Sequence, residues 1–344
     1  MPKKSPLQGG RECRQLDPDY IGRPPDSMPQ PANQPLPAGY VLNGYRIEKP
    51  LSSGGFSIVY LARDEKDTPF AIKEYMPNSL PLRTEGVEIK VDEANQNIFR
   101  HGLKCFFEEG RALAMISHPN VVRVENFFRA NETCYMVMQY VRGRTLQFHI
   151  QRHRHEFNEN FIRRLFAHMM NGLREVHARK LLHLDIKPAN IFIAMEGRPV
   201  LLDFGAARIT LSEEASKLKP MYTAGFAAPE QYRFQQGELG PWSDIYSVGA
   251  TMYTCIAGTP PQAGDAREEK DRMIPLKTLA KENYSKALFD IVESCLAIDH
   301  LKRPQTAFDL QKLLLEDVPA EDPKEQKRSI FDTINAPLSK LFQR

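Results

Sequence analysis

Residues 183–190 carry a compact set of groups that could do chemistry. Asp185, Lys187 and Asn190 place a carboxylate, an ammonium and a carboxamide close together, and a second carboxylate, Asp203, follows in Leu-Leu-Asp-Phe-Gly. Transfer of a phosphoryl group needs an acceptor for the hydroxyl proton, a cation on the phosphate and hard oxygen ligands for Mg²⁺. These residue types at this spacing are therefore candidates for that chemistry.

The two stretches resemble the catalytic loop and the Asp-Phe-Gly motif of protein kinases. The resemblance implies that Asp185 accepts or orients the substrate hydroxyl and that Lys187 neutralises the γ-phosphate. It also implies that Asn190 and Asp203 bind Mg²⁺. Lys-Pro-Ala between Asp185 and Asn190 resembles the serine/threonine branch of the family. The implied substrates are proteins that present serine or threonine hydroxyls.

A small-residue turn within residues 51–61 is flanked by alternating apolar residues, which predicts a β-hairpin. Small residues let backbone N–H groups approach phosphate closely. The stretch is similar to the family's glycine-rich loop, G-x-G-x-x-G-x-V. Only the middle glycine, Gly54, is kept, and Ser52 and Ser57 stand at the outer positions. The resemblance implies that the following residues contact ATP: Ser52, Ser53, Gly54, Gly55 and Phe56.

Phe-Ala-Ile-Lys at residues 70–73 is a strand-like run that matches the family's V-A-I-K. The match implies that Lys73 holds the α- and β-phosphates and that Val59 and Ala71 pack against adenine. Residues 103–117 show helical spacing. Within them Glu109 lies nine residues before His-Pro-Asn, where the family's helix C presents its glutamate. We therefore expect Glu109 to pair with Lys73, whereas the adjacent Glu108 is expected to be a solvated charge.

Two strands are predicted at residues 121–128 and 134–138, and a third begins at Asn190. The second strand leads into a stretch that resembles the hinge that hydrogen-bonds adenine through its backbone. The resemblance implies a nucleotide-contacting set at this edge: Met138 as gatekeeper, Gln139, Tyr140 and Val141 in the hinge, and Phe192 beneath adenine.

The stretch from Asp203 to Ala-Pro-Glu at 228–230 resembles an activation segment. The resemblance implies that Thr223 hydrogen-bonds Asp185 and Lys187, that Asp244 braces the catalytic loop, and that Arg303 pairs with Glu230. Many kinases carry arginine immediately before the catalytic aspartate, and that arginine binds a phosphate on the activation segment. This chain has Leu184 there, so phosphate at Thr210, Ser212 or Ser216 lacks that partner. Arg208 could substitute for it in part.

The resemblance covers residues 44–316 and implies an α+β fold, the bilobal protein kinase fold. A small β-rich lobe is expected at 44–138 and a larger, mainly helical lobe at 139–316, with Mg-ATP between them. The runs at 71–75 and 228–232 look most like bacterial kinases of this type. Two alternatives are a pseudokinase, which the altered glycine-rich loop favours, and a small-molecule kinase on a related fold. The substrate, the activating signal and the oligomeric state are not indicated.

The flanks have a different composition from the centre. Residues 1–43 are rich in proline and poor in large apolar side chains, which predicts a disordered arm, or alternatively a docking site for a proline-reading partner. The connection at 74–102 contains a strand-like run at 87–91 and is interpreted as a surface insertion. Residues 317–344 read as a linker and an amphipathic tail that docks on its own domain, on a partner groove or on a membrane surface.

Composition excludes some classes of protein. A formal net charge of +3 gives no indication of a nucleic-acid partner, and the longest apolar stretch, near 248–258, is too short to span a bilayer. The N-terminus leads into no apolar run, so no secretory signal is expected. Five scattered cysteines favour free thiols in the cytoplasm. Four histidines could suggest a metal site, but their spacing favours a wetted helix surface: His149, His153, His155 and His168.

Overall fold

The structure, a computed structural model, describes residues 33–80, 82–83, 86–204, 223–233, 238–279 and 284–316. Its first part is an antiparallel sheet with the spatial order β1-β2-β3-β4-β6-β5. The strands of this sheet are β1 Val41–Leu42, β2 Tyr45–Ser53, β3 Ser57–Arg63, β4 Pro69–Tyr75, β5 Val124–Ala130 and β6 Thr133–Gln139.

The register of this sheet aligns the residues that the sequence singled out. β2 and β3 form the predicted hairpin, whose last pair is Ser53 with Ile58. Lys73 lies opposite Val59 on β3, and Ala71 lies opposite Met138 on β6. Val59, Lys73, Ala71 and Met138 therefore lie on adjacent strands near the middle of the sheet.

Helix α1, Gln96–Ala114, packs against this sheet. Its buried Phe99, Phe106 and Leu113 recur every seven residues, so they lie on one face two turns apart. The helix begins before the predicted residue 103 and ends before the predicted residue 117. The prediction missed the first turns because Phe99, the apolar residue that anchors them, is separated from Phe106 by mostly polar positions.

The second part of the chain is mainly helical, as expected. Its helices are α2 Leu146–His153, α3 Glu159–Ala178, α4 Pro229–Arg233, α5 Pro241–Ala257, α6 Gly264–Glu269, α7 Leu276–Leu279, α8 Lys286–Cys295 and α9 Ala307–Leu315. Asn158 begins α3 by accepting a hydrogen bond from the Phe161 N–H at 2.9 Å. Helix α5 is buried from Ser243 to Ile256, so it forms the centre of this lobe.

A small sheet in the order β7-β8-β9 supports residues 183–190. Its strands are β7 Gly143–Thr145, β8 Ile191–Ala194 and β9 Pro199–Leu201. A short 3₁₀ turn, Pro188–Asn190, leads directly into β8. The Asn120 side chain donates to Pro199 O at 2.7 Å, which ties the end of the α1 region to β9.

The region around residues 33–43 differs from the prediction. Leu36 is only 1% exposed, and the Asn33 side chain bonds to backbone groups of residues 77–83. The packed part of the chain therefore begins by residue 33, and the prediction of a disordered arm is wrong for residues 33–43. Proline content misled the prediction, because buried Leu36 and Leu42 and the hydrogen bonds of Asn33 and Gln34 hold this segment.

The predicted strand at 87–91 is also wrong. The Ile89 and Lys90 N–H groups bond to Asn131 O and Leu82 O, two separate parts of the chain, and no ladder forms. The connection is also more than a surface insertion. Ile89 is buried, and the Arg83 side chain is fully buried against Glu74.

Within the described residues, no helix is both long and apolar enough to cross a bilayer. Several predictions concern residues outside the described ones: the tail at 317–344, the part of the arm at 1–32, and Thr210, Ser212, Ser216 and Arg208. Of the four histidines, His149 is buried and His153 bonds to Glu156 at 3.0 Å. The part of the chain that the structure describes contains no cluster of three or more potential His, Cys, Asp or Glu ligands.

Candidate active site

The Lys73 ammonium joins three elements. Strand β4 places it 2.9 Å from Glu109 Oε1 on α1 and 2.6 Å from Asp203 Oδ1 after β9. The predicted pair with Glu109 is therefore formed, and its members are 8% and 2% exposed. Burial alone would lower the pKa of Lys73, but the carboxylates of Asp203 and Glu109 outweigh it and raise that pKa. The ammonium remains charged at neutral pH.

Asp203 stays ionised beside this lysine. Burial favours its neutral form, but Lys73 lowers the pKa of Asp203 to about 2. Its side chain is 43% exposed, so one carboxylate oxygen can face a ligand while the other binds Lys73. The next residue, Phe204, is 2% exposed and packs on the His183 ring with centroids 4.3 Å apart. This packing fixes the chain on the C-terminal side of Asp203.

Three functional groups of the 183–190 loop contact one another, and Thr223 joins them. Lys187 Nζ lies 2.9 Å from Asp185 Oδ2, and Asn190 Nδ2 donates to the same oxygen at 2.9 Å. The Thr223 hydroxyl donates to Asp185 Oδ1 at 3.1 Å and accepts from Lys187 Nζ at 2.8 Å. The contacts predicted for Thr223 are thus present. About a quarter of the Asp185 and Lys187 side chains is exposed, so both remain accessible.

Asp244 on α5 holds the backbone of this loop through hydrogen bonds. Its carboxylate accepts from the Leu184 N–H at 2.7 Å, from the His183 N–H at 2.9 Å and from His177 Nε2 at 2.8 Å. Burial tends to raise the pKa of Asp244, but the hydrogen bonds and charge of His177 and the contacts with His183 lower it. A buried carboxylate that accepts three hydrogen bonds holds the loop backbone in one conformation.

Leu184 has a left-handed backbone, with φ of 57°, although it is not glycine. Such a conformation costs energy for a leucine and needs support from its surroundings. Besides the bond to Asp244, Leu184 O accepts from Gln231 Nε2 at 3.0 Å, and its side chain is 5% exposed. The motifs of the sequence do not indicate this contact of Gln231, although the residue directly follows Ala-Pro-Glu.

Glu230 and Arg303 form the predicted ion pair in the interior of the helical lobe. Arg303 Nη1 and Nη2 donate to the two carboxylate oxygens at 2.7 and 3.0 Å, and both side chains are at most 2% exposed. Ser243 adds a hydrogen bond of 2.8 Å to Glu230 Oε1. The bidentate geometry satisfies the buried carboxylate. The ion pair therefore fixes the segment that begins with Thr223 to the helical lobe.

The residues expected around adenine lie on β3, on β4, on β6 and the residues that follow it, and on β8. Val59, Ala71 and Phe192 are half-buried, and Met138 is 9% exposed at the end of β6. In the expected hinge, Gln139 is exposed, and Tyr140 and Val141 are half-buried. The Gln139 N–H already donates to Arg123 O at 2.9 Å, so of its two backbone groups only its carbonyl is a candidate contact for adenine.

The hairpin residues expected around the phosphates surround the β2–β3 turn. Ser52 and Ser53 end β2, and Gly54 to Phe56 form the turn. All five are exposed, including the large apolar ring of Phe56. The exposure leaves their backbone accessible to a ligand.

Comparison with known proteins agrees with this geometry. The sequence model of the family described as protein kinase domain matches residues 45–314. The solved structure of PpkA-294 in its apo form is 37% identical and superposes with a TM-score of 0.74, covering 81% of this chain and 99% of that one.

Curated relatives are more distant and longer. A probable serine/threonine-protein kinase of Clostridium perfringens is 28% identical over 78% of this chain and 37% of that protein. The serine/threonine-protein kinase Nek2 of Homo sapiens is 33% identical over 64% of this chain and 52% of that protein. The probable serine/threonine-protein kinase PknB of Bifidobacterium longum is 29% identical over 67% of this chain and 32% of that protein. The chain thus spans about a third to a half of these relatives.

Proposed function

The chain belongs to the protein kinase family, and from this premise we propose that it transfers the γ-phosphoryl group of Mg-ATP to serine and threonine hydroxyls of proteins. Family membership implies the use of ATP. The proposal adds the hydroxyl specificity, the metal and the role of each residue.

The contact of Lys73 with both Glu109 and Asp203 carries the proposal. These residues are 36 and 130 positions from Lys73 in the sequence, yet one ammonium bonds to both carboxylates. The ammonium is thereby held beside the carboxylate proposed to bind metal. Kinases need the lysine–glutamate pair and the metal-binding aspartate in place at the same time.

Asp185 and Lys187 have the chemistry for the transfer itself. Asp185 accepts or orients the substrate hydroxyl, because its carboxylate is partly exposed and is held by Thr223 and Asn190. Lys187 places a positive charge beside the same carboxylate, where it neutralises the oxygens of the transferred phosphoryl group. The Lys187–Thr223 bond fixes that charge.

The donor set fits a magnesium ion. Asn190 uses its amide nitrogen as a donor to Asp185, so its carbonyl oxygen is the atom left for a cation. Asp203 contributes an ionised carboxylate that is partly exposed. Oxygen ligands of this kind suit Mg²⁺ when substrate phosphates complete the coordination. The bound metal would neutralise charge on the phosphate oxygens.

The altered glycine-rich loop favours one alternative, a pseudokinase that binds nucleotide without catalysis. Ser52 and Ser57 replace the outer glycines. Against this alternative stands Asp185, which is partly exposed and held by Thr223 and Asn190, since nucleotide binding alone needs no acceptor for a substrate hydroxyl. The two functions differ in one measurable respect, which is transfer of phosphate.

The test is incubation of the purified chain with labelled ATP, magnesium and a generic protein substrate, followed by phosphoamino-acid analysis. Phosphoserine or phosphothreonine is the expected product. Nucleotide binding without transfer would favour the pseudokinase, and phosphotyrosine would overturn the hydroxyl specificity. Transfer to small molecules alone would favour the other alternative, a small-molecule kinase on a related fold.

A further inference from the structure

The segment after β4 holds the turn of the β2–β3 hairpin. The Asn78 N–H donates to Gly55 O at 2.8 Å, and its side-chain Nδ2 donates to Gly54 O at 2.6 Å. The Met76 N–H donates to Phe56 O at 2.8 Å. Three consecutive carbonyl groups of the turn are thus bonded to one short segment.

These bonds also orient the donors of the turn. A trans peptide unit points its N–H away from its C=O. Fixing the carbonyls of Gly54 and Gly55 toward Asn78 therefore directs the N–H groups of Gly55 and Phe56 to the opposite side. Successive N–H groups held in a common orientation make a concave site for anions. The contact with Asn78 prepares the turn for phosphate before a nucleotide arrives.

The segment that carries Asn78 is itself held by Asn33. The Asn33 carbonyl oxygen accepts from the Leu82 and Arg83 N–H groups at 2.7 and 2.9 Å. Its amide nitrogen donates to Leu80 O at 2.9 Å and to Pro77 O at 3.2 Å. Asn33 is thus bonded directly to the residue that precedes Asn78.

A buried ion pair anchors the far end of the same segment. The Arg83 guanidinium pairs with Glu74, the residue after Lys73, and also donates to Gln34 O at 3.2 Å. The Tyr60 and Tyr135 hydroxyls donate to the two oxygens of Glu74 at 2.7 and 2.6 Å. Burial and the charge of Glu74 raise the pKa of both tyrosines, so both keep their protons. Residues 33–34 therefore pack against a rigid support.

We propose that Asn78 is a positioning residue for nucleotide binding and that Asn33 maintains it, so that order in the hairpin turn depends on the segment at 33–37. The inference rests on the proposed function, because it assigns the turn to the phosphates of ATP. It gives the connection at 74–102 a role, since this connection carries the hydrogen-bond donors that fix the turn.

The first test compares Asn78→Ala with the matched control Ser79→Ala, since both side chains are exposed and neighbours. Binding of a non-hydrolysable ATP analogue with magnesium is measured by calorimetry, and hydrogen exchange reports the Gly55 and Phe56 amides. Loss of one hydrogen bond should raise the dissociation constant about fivefold. In the analogue complex, exchange at the Gly55 amide should accelerate because the Gly54 carbonyl is released, and exchange at the Phe56 amide should change little because the backbone N–H of residue 78 still bonds to Gly55 O. The kcat should stay unchanged while KM for ATP rises. Ser79→Ala should behave as wild type.

The outcomes separate the inference from the function. If wild-type protein binds the analogue and Asn78→Ala binds it equally well or more tightly, the inference fails and the proposed function stands. If the wild-type chain binds no nucleotide, both fail. A fall in kcat with an unchanged KM would also overturn a role in positioning the nucleotide.

The second test concerns Asn33. Asn33→Asp keeps the acceptor for Leu82 and Arg83 but loses the donor to Pro77 and Leu80. It should weaken analogue binding in the same direction as Asn78→Ala. The double variant should be weaker by less than the product of the two single effects, because both act through one contact. If the double variant unfolds thermally like wild type and its loss of analogue affinity equals the product of the two single effects, the link between Asn33 and Asn78 is contradicted.

Discussion

Asp203 Oδ1 accepts a hydrogen bond of 2.6 Å from Lys73 Nζ, which joins the first residue of the Asp-Phe-Gly stretch to the middle strand of the small lobe. The same ammonium binds Glu109, so sheet, α1 and the chain after β9 meet at one charge. Displacement of α1 or of the chain after β9 would leave the Lys73 ammonium with one carboxylate fewer.

Asp203→Ala should abolish phosphoryl transfer and leave the fold intact. Asp203 is partly exposed and is the proposed metal ligand, and metal and positioning account for most of the catalysis in this reaction class. The measurement is transfer from labelled ATP, with circular dichroism to check folding. Asp290→Ala, which removes an exposed carboxylate on α8, serves as control. Substantial transfer by folded Asp203→Ala protein would refute the assignment.

The stabilisation that Lys73 provides should depend on pH. The folded-state pKa of Asp203, about 2, lies below its ordinary 3.8, so the Lys73–Asp203 contact stabilises the fold above pH 3.8 and is lost as pH falls through about 2. The difference in unfolding free energy between wild type and Lys73→Met should therefore shrink over that range. Urea unfolding at stepped pH measures it. A difference that stays constant or grows toward low pH would contradict the assignment.

Arg303→Ala should destabilise the chain far more than Arg233→Ala. Arg303 is buried with Glu230, and removing it leaves a carboxylate buried without its partner, which costs about 3–5 kcal/mol. Arg233 pairs with Glu268 at the surface, where such pairs contribute about 0–1 kcal/mol. Urea unfolding of the two variants gives the comparison. Equal losses would show that Glu230 is solvated or finds another partner.

Replacing Ser52 and Ser57 together with glycine should lower KM for ATP. Both side chains stand beside the turn where close backbone approach to phosphate is wanted. Steady-state kinetics with varied ATP measures the effect, and Ser79→Ala again provides a neutral control. An unchanged or higher KM would show that the serines contact phosphate usefully, or that the contact with Asn78 already sets the position of the turn.

Replacing Thr210, Ser212 and Ser216 together with alanine should leave turnover of a protein substrate nearly normal. The residue before Asp185 is Leu184, whose side chain is buried and carries no charge to bind a phosphate. A hundredfold loss, about 2.7 kcal/mol of transition-state stabilisation, that phosphorylation of the unmutated chain relieves would overturn this expectation. The three residues lie outside the described part of the structure.

Some contacts within the candidate site could be predicted from the sequence because the spacing of family motifs carries information about contacts. Glu109 was chosen over Glu108 from its distance to His-Pro-Asn, and Thr223 from its position before Ala-Pro-Glu, and both contacts are present. The contact predicted between Asp244 and the catalytic loop is also present, as a hydrogen bond from the Leu184 N–H.

The contacts of Asn33 and Arg83 could not be found in this way. The Asn33–Leu82 and Arg83–Gln34 bonds each join groups 49 positions apart in sequence, and a single buried polar residue produces no periodic pattern. The strand predicted at 87–91 shows the opposite error. Its alternating apolar residues fit a strand, but Ile89 is buried by irregular backbone contacts with Asn131 rather than by a ladder. Alternation records which side chains are buried, not which backbone groups are paired.

The Glu230–Arg303 pair also sets a condition on how the chain can fold during synthesis. The two residues are 73 positions apart, so the ribosome adds Arg303 roughly 4 to 15 seconds after Glu230 at about 5–20 residues per second. Throughout this interval the emerging helical lobe has a carboxylate that cannot be buried at low cost. We therefore expect the nascent lobe to remain open until Arg303 has left the exit tunnel.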